Sequence, residues 1–284
     1  MNSPSISSSS HVHRRWLLLI LALAFLFVLM PFLFWQSTWF GRPLSDAEID
    51  KQLADLAHPR KVQHALFQVA ERLSSSDPAQ RIAARRWYPQ LVTLTSNPVA
   101  ELRLTSAAVM GRSSDDVPEF RIALTALLTD PNPMVQRNAA LSLVHFADAS
   151  GRAVIRSMLE LYNEPAPLAG TLSQRLKPGD TVNPGTLIAR LLVGKEKHEL
   201  RCLVPGTLDR WLVPDGYPVL AGQPVAEVSP SAEVVYEALR ALYFIGQPDD
   251  LPLVEPYARP IPNLPDHVRR QAEFTARAIR SRSS

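Results

Sequence analysis

The sequence predicts a mainly α-helical chain: an N-terminal apolar helix, stacked helical hairpins, and one small all-β unit set among them. Three observations predict this. Residues 16–35 carry no charge, a turn followed by an amphipathic helix recurs along most of the chain, and helical periodicity stops between Pro165 and Pro230. The composition permits a packed core, since 46% of the 284 residues are hydrophobic and 20% are charged, an ordinary globular mixture.

The first element is the N-terminus. Residues 1–15 begin MNSPSISSSS, a polar stretch with nothing to bury, expected as a disordered cytoplasmic tail. WLLLILALAFLFVLMPFLFW then runs from Trp16 to Trp35. At about 1.5 Å per residue it covers about 30 Å, the hydrocarbon thickness of a bilayer. A transmembrane helix over 16–37 is therefore expected, with Pro31 bending or ending it and Trp16, Trp35, Trp39 and Phe40 near the interfaces. The run is longer than a signal-peptide core and no small-x-small site follows, which favours an uncleaved anchor. Arg14 and Arg15 precede it, whereas Asp46, Glu48 and Asp50 follow, partly offset by Arg42 and Lys51. That asymmetry predicts a single-pass inner-membrane protein of bacterial type, N-terminus cytoplasmic and C-terminal region periplasmic.

The helical elements come next. Ser45 and Glu48 have capping-box spacing, so a helix is expected to begin there. Turns with Asp-Pro or Asn-Pro then precede Ala- and Leu-rich helices at Asp77, Asn97 and Asp130. Asp or Asn caps such a helix, and Pro at its first position forfeits no hydrogen bond. Further helices are expected from Val117, Arg152, Ser231 and Leu264. Val235, Ala238, Leu239 and Leu242 share one helical face, as do Val268, Ala272, Ala276 and Ile279. Paired helices unable to bury their faces alone stack in series as an α-solenoid.

The Asp-Pro turn, Arg103 and Arg137 near helix starts, and the Ala-Leu faces together resemble HEAT-type repeats. The resemblance covers 45–162 and 231–280, with irregular spacing between turns. It implies an extended surface for protein partners.

Between 165 and 230 the segment repeats itself. PLAGTLSQRLKPGDTVNPGTLIARL is followed by LVPGTLDRWLVPDGYPVLAGQPVAEV, with Gly170, Leu176 and Gly185 matching Gly206, Leu212 and Gly222. Two copies of a short β unit can pair about a pseudo-twofold axis, and Gly179-Asp180 and Asp215-Gly216 serve as tight turns. The Gly179, Asp180, Val182, Gly185 stretch and Val204 to Gly206 resemble the biotinyl/lipoyl-like barrel-sandwich family. That resemblance implies a lysine at a hairpin tip for biotin or lipoate, and places Lys197 there. Its neighbours Glu196 and His198 match neither carrier flank, so no cofactor is expected.

A search for chemistry finds no phosphate loop, dinucleotide-binding glycine pattern or nucleophile elbow. His11 and His13 lie in the tail, while His58, His64, His145, His198 and His267 are singletons, so no metal site is expected. Cys202 is the single cysteine and reads as a small buried hydrophobe. Asp115-Asp116 and Asp249-Asp250 are expected as caps at turns, and Arg85-Arg86 and Arg269-Arg270 as solvated faces or helix-end charges. The 30 Lys and Arg against 27 Asp and Glu leave +3, scattered and too weak for nucleic-acid binding.

The expectation is a membrane-anchored, non-enzymatic scaffold or adaptor for other envelope proteins, with no catalytic residues and no evident small-molecule substrate. The alternatives are a periplasmic adaptor subunit of an efflux or secretion system, a biotin or lipoate carrier modified on Lys197, and an enzyme with dispersed catalytic groups.

Overall fold

The computed structural model describes residues 10–37, 43–262 and 264–282, with side chains in the first helix described at Trp16 and from Leu19 to Pro31. Helix α1 spans Ser10–Ser37 and contains Pro31. Its described apolar side chains are exposed except Leu29, which is partly buried, with Phe27 at 82%. No helix among the described residues is long and apolar enough to cross a membrane. The expected transmembrane helix, the single-pass anchor and the inner-membrane localisation with its cytoplasmic and periplasmic sides are corrected accordingly. The tail to Ser9, and Trp39 and Phe40, lie outside the described residues.

The first helical layer comprises α2 (Asp46–Ala54), α3 (Pro59–Leu73), α4 (Pro78–Ala84), α5 (Tyr88–Leu94), α6 (Ala100–Met110), α7 (Pro118–Leu127) and α8 (Pro133–His145). Ser45 and Glu48 form the capping box of α2. Asp77 caps α4 through the Ala79 amide. The cap of α8 is Asn132, with Pro133 as first residue, and not Asp130. Asp130 is buried and accepts both prongs of the Arg103 guanidinium, at 2.6 and 2.8 Å. A buried carboxylate needs such a partner, so tertiary pairing takes the side chain away from capping.

Ile49, Leu66, Trp87, Leu102, Phe120 and Leu143 centre the core of this layer. A second helical core joins α9 (Arg152–Ser157), α10 (Ala232–Ile245), α11 (Leu251–Val254) and α12 (Asp266–Arg282). Helix α8 belongs to both: Val135, Ala139 and Leu143 face the first core and Ala140 the second.

Between α9 and α10 lie eight strands: β1 (Tyr162–Pro165), β2 (Gly170–Gln174), β3 (Thr181–Val182), β4 (Leu187–Val193), β5 (Glu196–Arg201), β6 (Gly206–Trp211), β7 (Pro218–Val219) and β8 (Pro224–Pro230). They form two four-stranded antiparallel sheets, ordered β1-β8-β6-β3 and β5-β4-β2-β7. The halves exchange their short strands. Val182 of β3 pairs with Gly206 of β6, and Val219 of β7 pairs with Gly170 of β2. Leu172, Ile188, Leu191, Leu208, Val225 and Val228 fill the space between the sheets.

The architecture is thus mixed α/β, with two antiparallel sheets and a core of their own, and not a mainly α solenoid. From Asp46 onward the helices run from 4 to 17 residues and three 3-10 segments interrupt them. The hairpins therefore do not repeat as one unit, and the HEAT-type expectation is corrected. The physical cause is the irregular turn spacing: unequal hairpins cannot present equal faces to their neighbours.

Candidate functional site

Two arrangements bring polar chemistry together. The first is buried where the strands meet the helices. Glu164 on β1 is fully buried. One carboxylate oxygen accepts the Leu203 amide at 2.9 Å and the other has no partner. Burial pushes its pKa up to about 7, partly opposed by the Leu203 amide and the Cys202 thiol. Cys202 follows β5, is wholly buried, and donates to the Val204 carbonyl at 3.2 Å. Burial pushes that thiol up to about 12, and Tyr162 is pushed up to about 12 by the same cause. Arg137 on α8 is buried with one terminal nitrogen lacking a partner, and burial lowers its pKa. A thiol so strongly protonated is a poor nucleophile, because the thiolate is the reactive form. The cluster is a sealed polar seam.

The second arrangement is open. Strand alternation puts Thr171 and Ser173 of β2, Arg190 and Leu192 of β4, and Lys197 and Glu199 of β5 on the face turned away from the core. Ser173 stands opposite Arg190, and Leu192 opposite Lys197, so Arg190 and Lys197 are diagonal neighbours, about 7–8 Å apart at Cα. Arg175 continues the same face past the end of β2. Ser173, Gln174, Arg175, Arg190, Leu192 and Lys197 line a groove of about 300 Å³.

Among the described residues, Arg175, Arg190 and Lys197 make no ion pair and no side-chain hydrogen bond. Glu199, which stands opposite Arg190 on this face, turns one carboxylate oxygen to Arg201 and accepts two of its nitrogens there, at 2.6 and 2.9 Å. Asp215 is likewise engaged by the Gln174 amide at 2.7 Å. Three positive charges thus share a solvent-open groove without a direct ion pair, with Glu199 the carboxylate on the same face.

The structure places the singled-out residues as follows. Lys197 is not at a hairpin tip. Gly194 and Lys195 form the two-residue turn between β4 and β5, Gly194 with φ 62°, a geometry glycine adopts at no steric cost. Lys197 sits one pair further on, in the groove. The acid pairs are more than caps. Asp115 accepts both prongs of Arg85, at 2.7 and 2.9 Å, and the Tyr88 hydroxyl. Asp250 is fully buried and accepts from Arg152 and Arg156. Arg86 reaches Asp50 at 2.7 Å, and Arg269 reaches Glu273 at 2.6 Å. No group of three or more His, Cys, Asp or Glu that could hold a metal occurs among the described residues.

Sequence reasoning did not single out Arg175, Arg190 or Glu164. Arg190 was legible in principle, as a charged residue inside the alternating run LIARLLV. Glu164 had no such signal, because its burial comes from residues around 202 folding over it.

No family model and no curated protein matches the chain. Among solved structures, one similar chain is titled as a single-chain, multi-domain long-chain acyl-CoA carboxylase. Identity is 21% and the TM-score 0.24, and the match covers 44% of this chain but 14% of that one. A likeness this slight carries no argument about fold or activity. The resemblances to HEAT-type repeats and to the biotinyl/lipoyl-like barrel-sandwich therefore find no support and are set aside as corrections.

Proposed function

We propose that this protein is a non-enzymatic scaffold that binds other proteins, and that the open face of β5-β4-β2 is where a partner docks. The observation that supports this is the groove itself: Arg175, Arg190 and Lys197 line it together and none of them makes an ion pair among the described residues. Unpaired like charges on one face repel each other, and a complementary partner relieves that repulsion and gains charge-assisted hydrogen bonds. The buried Glu164 and Cys202 seam offers no comparable access to a substrate.

The test is photo-crosslinking. A photoreactive amino acid in place of Ser173 should yield a reproducible adduct with one defined protein. The double variant Arg190→Glu, Lys197→Glu should abolish it. The same photoreactive residue in place of Asp209, exposed on the other sheet, should not give that adduct. Absence of any reproducible adduct from position 173 overturns the reading.

A further inference from the structure

The groove also carries information about the chemistry of what it holds. Its charged lining is Arg175, Arg190 and Lys197, with the Ser173 hydroxyl opposite Arg190. Gln174 is committed elsewhere, its side chain donating to the Val213 carbonyl at 2.9 Å. Leu192 forms an apolar floor beside Lys197. The two guanidinium groups and the ammonium offer donors and no acceptor.

A single carboxylate would leave most of this charge unanswered, because it carries one negative charge. A phosphate monoester carries about −1.5 to −2 and three acceptor oxygens, enough to engage three cationic side chains at once. Planar guanidinium forks suit that geometry, and Lys serves as a point charge beside them. The volume of about 300 Å³ admits a phosphorylated side chain and part of its backbone.

We propose that the groove between Arg175, Arg190 and Lys197 binds a phosphate monoester group, carried by a phosphorylated segment of the partner or supplied as free phosphate. This rests on the scaffold reading for its biological setting, but the site stands on its own geometry.

Chemical protection of Lys197 in the full chain tests it, with Lys195 as internal reference. Lys195 lies in the adjacent turn, exposed and outside the groove. Acetylation of both lysines is followed by mass spectrometry in chloride, in inorganic phosphate at matched ionic strength, and with a phosphoserine peptide or its Glu-substituted counterpart. Phosphate or the phosphoserine peptide should slow Lys197 acetylation at least threefold and leave Lys195 unchanged. The ligand protecting at lower concentration identifies the source. Arg190→Gln, and separately Arg175→Gln, should weaken that protection about tenfold with unchanged thermal unfolding.

Equal protection by the Glu peptide, equal slowing of both lysines, or no slowing of either overturns the phosphate assignment. The scaffold reading is judged separately by the Ser173 crosslink. Phosphate protection without a crosslinked partner leaves this site standing and removes the scaffold. A crosslink unaffected by phosphate, with no protection of Lys197, does the reverse.

Discussion

At the scale of single residues, Glu164 occupies an unfavourable position. It is buried with one oxygen unpartnered, and its pKa rises from 4.5 to about 7. The unfolded chain binds a proton there only below about pH 4.5, whereas the folded chain holds it up to about 7. The group therefore favours the folded state most at low pH. That contribution fades as pH climbs from about 4.5 through 7, by about 3 kcal/mol in total. Urea unfolding of the wild type should show this decline across pH 5–8. In Glu164→Gln the decline should be shallower by about that amount, because the amide does not titrate. Parallel curves for the two proteins would contradict a buried, titrating Glu164. Cys202 beside it should resist thiol-modifying reagents in the native state, since both its burial and its elevated pKa oppose thiolate formation.

At the scale of elements, the β unit depends on strands exchanged between its halves and on close backbone approach within each sheet. A Cβ added to Gly206 would lie 2.1 Å from the Ser229 carbonyl oxygen on β8 and 2.8 Å from a Val228 methyl. The Ser229 carbonyl cannot rotate away, since it belongs to the β6–β8 ladder. Gly206→Ala should cost at least about 2 kcal/mol by overpacking. Gly185→Ala is a useful contrast, because its Cβ would meet nothing within 4 Å and the penalty there comes from φ of 88° alone. Chemical denaturation of both variants should rank Gly206→Ala as the more damaging, and the reverse order would refute the steric account.

Considered as a whole molecule, two helical segments separated in sequence by the strands are tied by one ion cluster. Arg152 on α9 grips Asp250 through two nitrogens at 2.8 Å and also pairs with Asp249, while Arg156 reaches Asp250 at 2.7 Å. Asp250 is fully buried and also accepts the Gln247 amide at 2.8 Å. Removing it leaves two largely buried guanidinium groups with only the exposed Asp249. Asp250→Ala should lower global stability by about 3 kcal/mol, the range for breaking a buried pair. Asp249→Ala should cost far less, as an exposed, solvent-screened member does. Equilibrium unfolding of the two variants distinguishes a closure that holds the second core together from a decorative surface pair.

Local interactions were legible from the chain alone. Ser45 and Glu48 cap α2, Asp77 caps α4, and the glycines at 179, 185, 216 and 222 take positive φ at turns. Each of these rests on atoms only a few residues apart, so the sequence determined them by itself. Distant pairing was not legible. Asp130 reads as a cap yet binds Arg103, Lys197 reads as a hairpin tip yet faces a groove, and Glu164 shows no sign of its burial. The mixed α/β architecture belongs with these, because turn spacing does not reveal which faces meet. Whether a charge is paired, solvated or sealed depends on side chains brought from far along the chain, and only the tertiary structure decides that.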